Sequence, residues 1–399
     1  MTPNTSDLFT RVFVDAFKET EIIGVPTGFQ AFFGDPANGS RTIVTNDSEA
    51  VDIDIMRANG RRLAATVNRG TSTDDVTRQK NALAENFSNF SRKFPLIEEE
   101  GNINNNQLLK RVAGENPFSG STREERARIY ARDILGDQVR KSVRTFEYFA
   151  SQSVLTGQHP AIIDTTNADL IYDFRRDPLN FITVGTAWNG VLPDILGDID
   201  AACERLELAS FMEPNFIGIG DDAMADFIAD TGVQSNADNR RFELIEVSTN
   251  NPVPPEYARF IEAGWIARGR LRTPKGRVLW IFNYNKRYTN SAGSTVRYLP
   301  SDKAFICDIN ARADRYFGPP DRLPVTPDEA AWIMDLFGIN IMAPALPAGI
   351  TAAVLDAAMF HFDAYRSPDK KTVIMRAQSA PIYPTTQTDA FVTLQGLHV

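Results

Sequence analysis

Histidine and cysteine are nearly missing from this sequence: His159, His361 and His398, and Cys203 and Cys307, are all that 399 residues contain. No CxxC or HxxxH spacing occurs, so a zinc site built on those motifs is excluded. The two cysteines stand far apart in sequence, which leaves two readings open: buried thiols in a reducing cytoplasm, or a single disulfide. An excess of positive charge is also missing: 42 Lys+Arg against 51 Asp+Glu give a net charge of −9. The average surface therefore repels nucleic acid. The first residues, MTPNTSDLFTRVFVDAF, have no basic region followed by an apolar stretch, so no signal peptide is read. One uncharged run, LFGINIMAPALPAGITAAVL (Leu336–Leu355), is long enough to cross a bilayer. Gly338, Asn340, Pro344, Pro347 and Gly349 interrupt it, and Asp335 and Asp356 flank it where lysine or arginine would be expected. It is read as a buried loop or a subunit contact, and no membrane association is expected.

What is present describes a folded chain. Hydrophobic residues make up 43% and charged residues 23%, ordinary values for a globular protein. Leu8, Phe9, Val12, Phe13 and Phe17 recur at helical spacing over 6–20, and a Gly/Pro-rich arm follows. In AVDIDIMRANGRRLAATV (50–67), Val51, Ile53 and Ile55 alternate with polar residues, and Asn59-Gly60 supplies the residues of a tight hairpin turn. Arg57, Arg61 and Arg62 surround that turn. Residues 68–117 are polar and asparagine-rich, a long excursion with little core of its own.

The strongest local pattern begins at Ser121, with Glu124 three residues on as in a capping box. Ile129, Ile134, Leu135, Val139, Val143, Phe146, Phe149 and Val154 follow at helical spacing, with Gly157 placed to end the helix and Gly136 placed to bend it. About 35 residues make a rod of roughly 50 Å. Its narrow apolar stripe and charged back suit an element that spans a molecule. After Pro193 helix and strand patterns alternate, ending with TPDEAAWIMDLFG as a helix and two extended segments in MRAQSAPIYPTTQTDAFVTLQ that are expected to pair. The fold class is α+β.

Few constellations carry chemistry. GIGDD (218–222) is a glycine turn from strand to helix, where a phosphate could rest on the helix N-terminus. Asp221 and Asp222 would repel one, and the turn does not continue as GxGxxG. Asp194, Asp198 and Asp200 lack a calcium-loop pattern and fall within a helix. His361 and Asp363 alternate on a strand with no nucleophile in a recognisable elbow. No catalytic residue, cofactor or metal site is assigned. Arg123, Arg126, Arg128, Arg132, Arg140, Lys141 and Arg144 on the long helix leave two readings open: a solvated face with i,i+4 pairs, or ionic contact with a neighbouring subunit. The residues nominated for assembly contacts are Arg57, Asn59, Gly60, Arg61, Arg62, Arg126, Arg140 and Arg144.

The order of parts resembles that of tailed-phage major capsid proteins, with the Hong Kong ninety-seven type of fold. RARIYARDILGDQVRKSVRTFEYFASQSVLTGQ is similar to the long helix of the lambda-type major head proteins (the phage capsid protein E family). MRAQSAPIYPTTQTDAFVTLQ is similar to that family's C-terminal signature, and YLPSDKAFICDINARADRYFG to its LP-D strand and turn. Residues 324–356 are longer and more apolar than the family pattern. The resemblance implies an N-terminal arm (1–41), an extended loop (42–117), a peripheral domain with the spine helix (118–194), an axial domain (195–320) and a peripheral return (321–399). It also implies C-terminal strands added beside the long helix.

The function so implied is self-assembly as hexamers and pentamers into an icosahedral shell. That shell encloses DNA without sequence-specific binding and is assembled in the host cytoplasm to become part of the virion. Scaffolding, portal and decoration proteins are the implied partners. The alternatives are an encapsulin-like compartment and, from a different class, a soluble α/β enzyme working at Asp221 and Asp222.

Overall fold

The computed structural model describes residues 25–44, 50–56, 87–110, 122–161, 170–238, 242–244, 253–319, 360–366 and 372–398. Two 3-10 turns, Phe29–Phe32 and Pro36–Asn38, come first. Then follow β1 (Thr42–Val44), β2 (Ala50–Met56), β3 (Phe87–Lys93), β4 (Ile97–Asn104), α1 (Asn105–Leu109) and the spine helix α2 (Arg123–Thr156). β5 (Gln158–Pro160), β6 (Ile171–Asp173) and β7 (Phe181–Thr183) lead to α3 (Ile195–Ser210). Next come β8 (Phe216–Ile219), α4 (Asp221–Ala229), α5 (Thr231–Asp238), β9 (Phe242–Leu244) and α6 (Pro255–Glu262). β10 (Ile266–Arg272), β11 (Val278–Asn283), β12 (Arg287–Thr289), β13 (Thr295–Arg297), β14 (Ala304–Cys307) and β15 (Arg315–Phe317) are followed by β16 (His361–Arg366), β17 (Thr372–Ser379), β18 (Pro381–Ile382) and β19 (Phe391–Gln395).

The centre is a seven-stranded mixed sheet in the order β7-β19-β14-β8-β11-β10-β9. Its middle strands are apolar on both faces because both are covered. Phe216, Trp280, Phe282, Phe305 and Phe391 point to one side, where the spine helix, α6 and the Phe29–Phe33 segment pack. Ile217, Ile219, Leu279, Ile281, Ile306 and Val392 point to the other, against α3, α4 and α5. Both cysteines are free and buried, Cys307 on the first side and Cys203 on the second.

The spine helix is continuous over 34 residues. Gly136 does not break it. Its first half lies on a separate three-stranded sheet, β16-β17-β4, through Ala131, Ile134 and Leu135. Gln138 fastens the two, donating to the Glu99 carbonyl at 3.1 Å and to that of Met375 at 3.0 Å. Its second half enters the central core through Val139, Phe146, Phe149, Ala150 and Val154. The helix ends at Gly157, whose φ of 67° suits a residue without a side chain.

Three readings of the sequence need correction. First, the two C-terminal segments do not pair with each other. β17 joins β4 and β16 beside the spine helix, whereas β19 enters the seven-stranded sheet between β14 and β7. Two strands of that sheet, β7 and β19, therefore come from outside residues 195–320. Second, β2 pairs with β3, Met56 opposite Phe87. Its described partner thus lies far beyond the Asn59-Gly60 pair that was read as closing a tight hairpin. Third, residues 25–41 are not a free arm. Phe29, Phe32 and Phe33 are buried in their own chain's core; full burial of such side chains stabilises by about 1.5–3 kcal/mol each. The helix read over 6–20, the Asn59-Gly60 turn, the Ser121 cap, the helix beginning TPDEAA and the apolar run 336–355 lie outside the described residues.

Candidate functional site

The spine helix carries one acid inside its apolar stripe. Val143, Phe146, Glu147, Ala150 and Val154 share a face, so helical periodicity drives Glu147 into the core. There it accepts hydrogen bonds from the Phe29 amide at 2.8 Å, the Gln30 amide at 3.1 Å and the Tyr284 hydroxyl at 2.7 Å. The Tyr284 oxygen in turn accepts from the Gly28 amide at 3.1 Å. Phe29 and Gln30 open a 3-10 turn that has no side-chain cap of its own. The spine helix therefore supplies that cap from a distance in sequence, satisfying amides that a helix start leaves unpaired. Burial pushes the Glu147 carboxyl up to about 7, opposed by the hydrogen bonds from Phe29, Tyr284 and Gln30. Arm, spine and central sheet meet at this one side chain. Glu147 is not among the residues singled out from the sequence; the signal that would have found it is a charge within an apolar helical stripe.

The far end of the spine is held by Arg176. Its guanidinium donates to the Val154 carbonyl at 2.8 Å and to the Ser153 carbonyl at 2.9 Å, the latter also accepting from the Gly157 amide at 3.1 Å. It also lies against the rings of Phe181 and Phe391, which belong to β7 and β19. Burial lowers Arg176 to about 9, with Asp389 acting in the opposite direction, so it stays charged at neutral pH. The spine is thereby tied to the sheet at both ends of its buried half.

The base of the excursion is also anchored. Val51, Ile53 and Ile55 face Tyr172, Phe174, Tyr316 and Ile382, while Asp52, Asp54 and Met56 face outward. The Met56 amide donates to the Thr386 carbonyl at 2.8 Å. Of the nominated assembly residues, Arg57, Asn59, Gly60, Arg61 and Arg62 lie outside the described residues. Arg126 donates to the Leu108 carbonyl at 3.1 Å, and Arg140 pairs with Asp137 at 3.0 Å one turn earlier. Arg144 is exposed and has no ion-pair partner among the described residues.

The enzyme-like spots have structural employment. Gly220 is the N-cap of α4, and a Cβ there would meet the Pro300 carbonyl oxygen at 2.2 Å. The Ala223 amide donates to the Ser301 carbonyl, and Arg297 pairs with Asp221 at 2.9 Å and Asp222 at 3.6 Å. Asp194 caps α3, Asp198 accepts from the Trp188 indole at 3.1 Å, and Asp200 pairs with Arg277 at 3.2 Å. His159 stacks on Phe149, and burial pulls it down to about 4, so it is neutral. His398 pairs with Asp226. Among the described residues no cluster of three metal-ligating side chains forms, and no helix is long and apolar enough to cross a membrane.

The family model described as phage major capsid protein E matches residues 30–395, nearly the whole architecture above. The chain belongs to the phage major capsid protein E family. It is similar in structure to the capsid protein of a prophage of E. coli CFT073, with 14% identity, 99% of each chain covered and a TM-score of 0.58. That likeness places this major capsid protein in the same fold. Slighter likenesses reach a Microbacterium phage Oxtober96 chain and the SrpI encapsulin of Synechococcus elongatus PCC 7942. The first has 14% identity, 93% and 91% coverage and a TM-score of 0.40. The second has 10% identity, 89% and 85% coverage and a TM-score of 0.39, too distant to argue for a compartment shell. No curated protein sequence matches significantly.

Proposed function

We propose that many copies of this capsid protein close as hexamers and pentamers into an icosahedral shell around phage DNA, which it encloses without sequence-specific contact. The observation that carries this is the family match over residues 30–395. The chain's work is then structural and not catalytic. Assembly takes place in the host cytoplasm, with scaffolding, portal and decoration proteins as partners.

In this reading residues 57–86 extend from the anchored β2–β3 base over a neighbouring subunit, with Arg57, Arg61 and Arg62 as ionic contacts. Residues 1–24 reach another copy. The seven-stranded sheet with α3–α5 forms the axial part, and the spine helix with β16-β17-β4 the peripheral part. Contacts that are individually modest become strong when every subunit makes several at once. A net charge of −9 keeps the shell from adhering to its contents.

The test is negative-stain microscopy with sedimentation of the chain expressed together with its neighbouring genes. Uniform icosahedral particles are expected. A homogeneous monomer or dimer under those conditions would overturn the shell.

A further inference from the structure

Ahead of α3 the chain turns outward through residues 189–193. Val191 and Leu192 there are 87% and 90% exposed, the most exposed large apolar side chains among the described residues. Leu192 also holds a φ of 55°, the left-handed region where a side chain crowds the following carbonyl. The loop is pinned on both sides. Before it, the buried Trp188 donates its amide to the Leu397 carbonyl at 2.7 Å and its indole to Asp198 at 3.1 Å. After it, Asp194 caps α3 by accepting from the Gly197 amide at 3.0 Å. Neither the exposure nor the backbone strain serves the isolated subunit: glycine at 192 would relieve the strain, and polar residues would be better hydrated. Strain held in place by well-fixed surroundings is a mark of a working site.

We propose that Val191 and Leu192 form an apolar knob that is buried in a second copy of this chain in the assembled shell. This rests on the shell reading above. The size of the knob argues for that occupant. Two aliphatic side chains offer roughly 200 Å² of apolar surface, against about 800 Å² per partner in a stable pairwise interface. Alone the knob cannot hold a dimer together. Repeated on every subunit of a ring, with each copy giving one knob and receiving one, it adds to a closed set of contacts. Being uncharged, it is not weakened by ionic screening, unlike a contact made by Arg144.

The test uses the full chain with Leu192→Cys. Both native cysteines are fully buried, and burial raises their thiols, so a maleimide reads position 192 alone. The thiol should react quickly in free subunits and at least tenfold more slowly in particles. A folded variant that no longer assembles also supports the knob. Particles in which it reacts as fast as in free subunits would overturn the proposal. If Leu192→Cys fails to fold, Val191→Cys is read in the same way. Leu192→Gly should keep or raise the subunit's Tm while lowering particle yield, and an undiminished yield from Val191→Ser/Leu192→Gly would count equally against the knob. Absence of particles from the unaltered chain would instead remove the shell reading itself, a separate result.

Discussion

The Tyr284 hydroxyl donates to the Glu147 carboxylate across 2.7 Å, with both side chains sealed from solvent. Tyr284 follows a strand of the central sheet and Glu147 belongs to the spine helix, and both also hold the amides of residues 28–30. A single acid therefore links three distant stretches of chain. Removing it would leave two amides and a hydroxyl unsatisfied in the core.

Glu147 should make subunit stability depend on pH in a direction opposite to most carboxylates. Its folded value, about 7, lies above the ordinary 4.5. Its contribution is then fully present below about 4.5 and is lost as pH rises through about 7, because the folded state holds the proton longer. The stability of the native chain relative to Glu147→Gln should grow by about 3 kcal/mol between pH 8 and pH 4.5. Denaturant unfolding across that range measures it. A difference that stays constant with pH would show that Glu147 does not titrate there.

Arg176 and Gly157 should act on the same helix end. Arg176→Lys keeps the charge but not the planar fork that reaches two carbonyls, and should cost about 1–3 kcal/mol. Gly157→Ala places a Cβ at 2.8 Å from the Arg176 Cβ in a left-handed residue, and should cost about 1–2 kcal/mol. The double variant should lose measurably less or more than the sum, since contacting residues couple. Simple additivity in unfolding experiments would argue that they hold separate ends.

The excursion should be dispensable for folding and necessary for assembly. Met56 stands opposite Phe87 in the β2–β3 register. Residues 57–86 can therefore be replaced by a two-residue Asn-Gly turn. The subunit should keep its unfolding transition and form no closed particles by sedimentation and microscopy. Normal particles would sink the loop assignment.

Arg144 is exposed on the spine without an ion-pair partner among the described residues. Arg144→Glu should change subunit stability by less than about 0.5 kcal/mol, as exposed substitutions usually do. Assembly should weaken, and its dependence on salt should become shallower. Unaltered assembly across a salt series would assign this arginine to the solvated face.

The spine helix was legible because its determinants are neighbours in sequence: an apolar residue every third or fourth position, and a glycine to stop it. The strand-to-helix turn at Gly218–Asp222 and the helix capped by Asp194 were legible for the same reason. The destination of β19 was not. Phe391, Val392 and Leu394 make the near-continuous apolar run of any strand buried on both faces, and nothing local chooses between a place beside β17 and one between β14 and β7. The partner of β2 was hidden in the same way, since the alternation of Val51, Ile53 and Ile55 states which face is buried but not which strand returns.

Local periodicity thus determined the rod and the covered strands, and composition the scarcity of reactive groups. Tertiary structure alone decided that Glu147 would cap residues 29 and 30, that Arg176 would close the spine, and that Val191 and Leu192 would stand outside. Those outcomes depend on contacts between segments from 22 to 118 residues apart, or on which surface is left over once packing is complete. A local pattern does not contain that information, because burial and pairing are settled by the whole chain together.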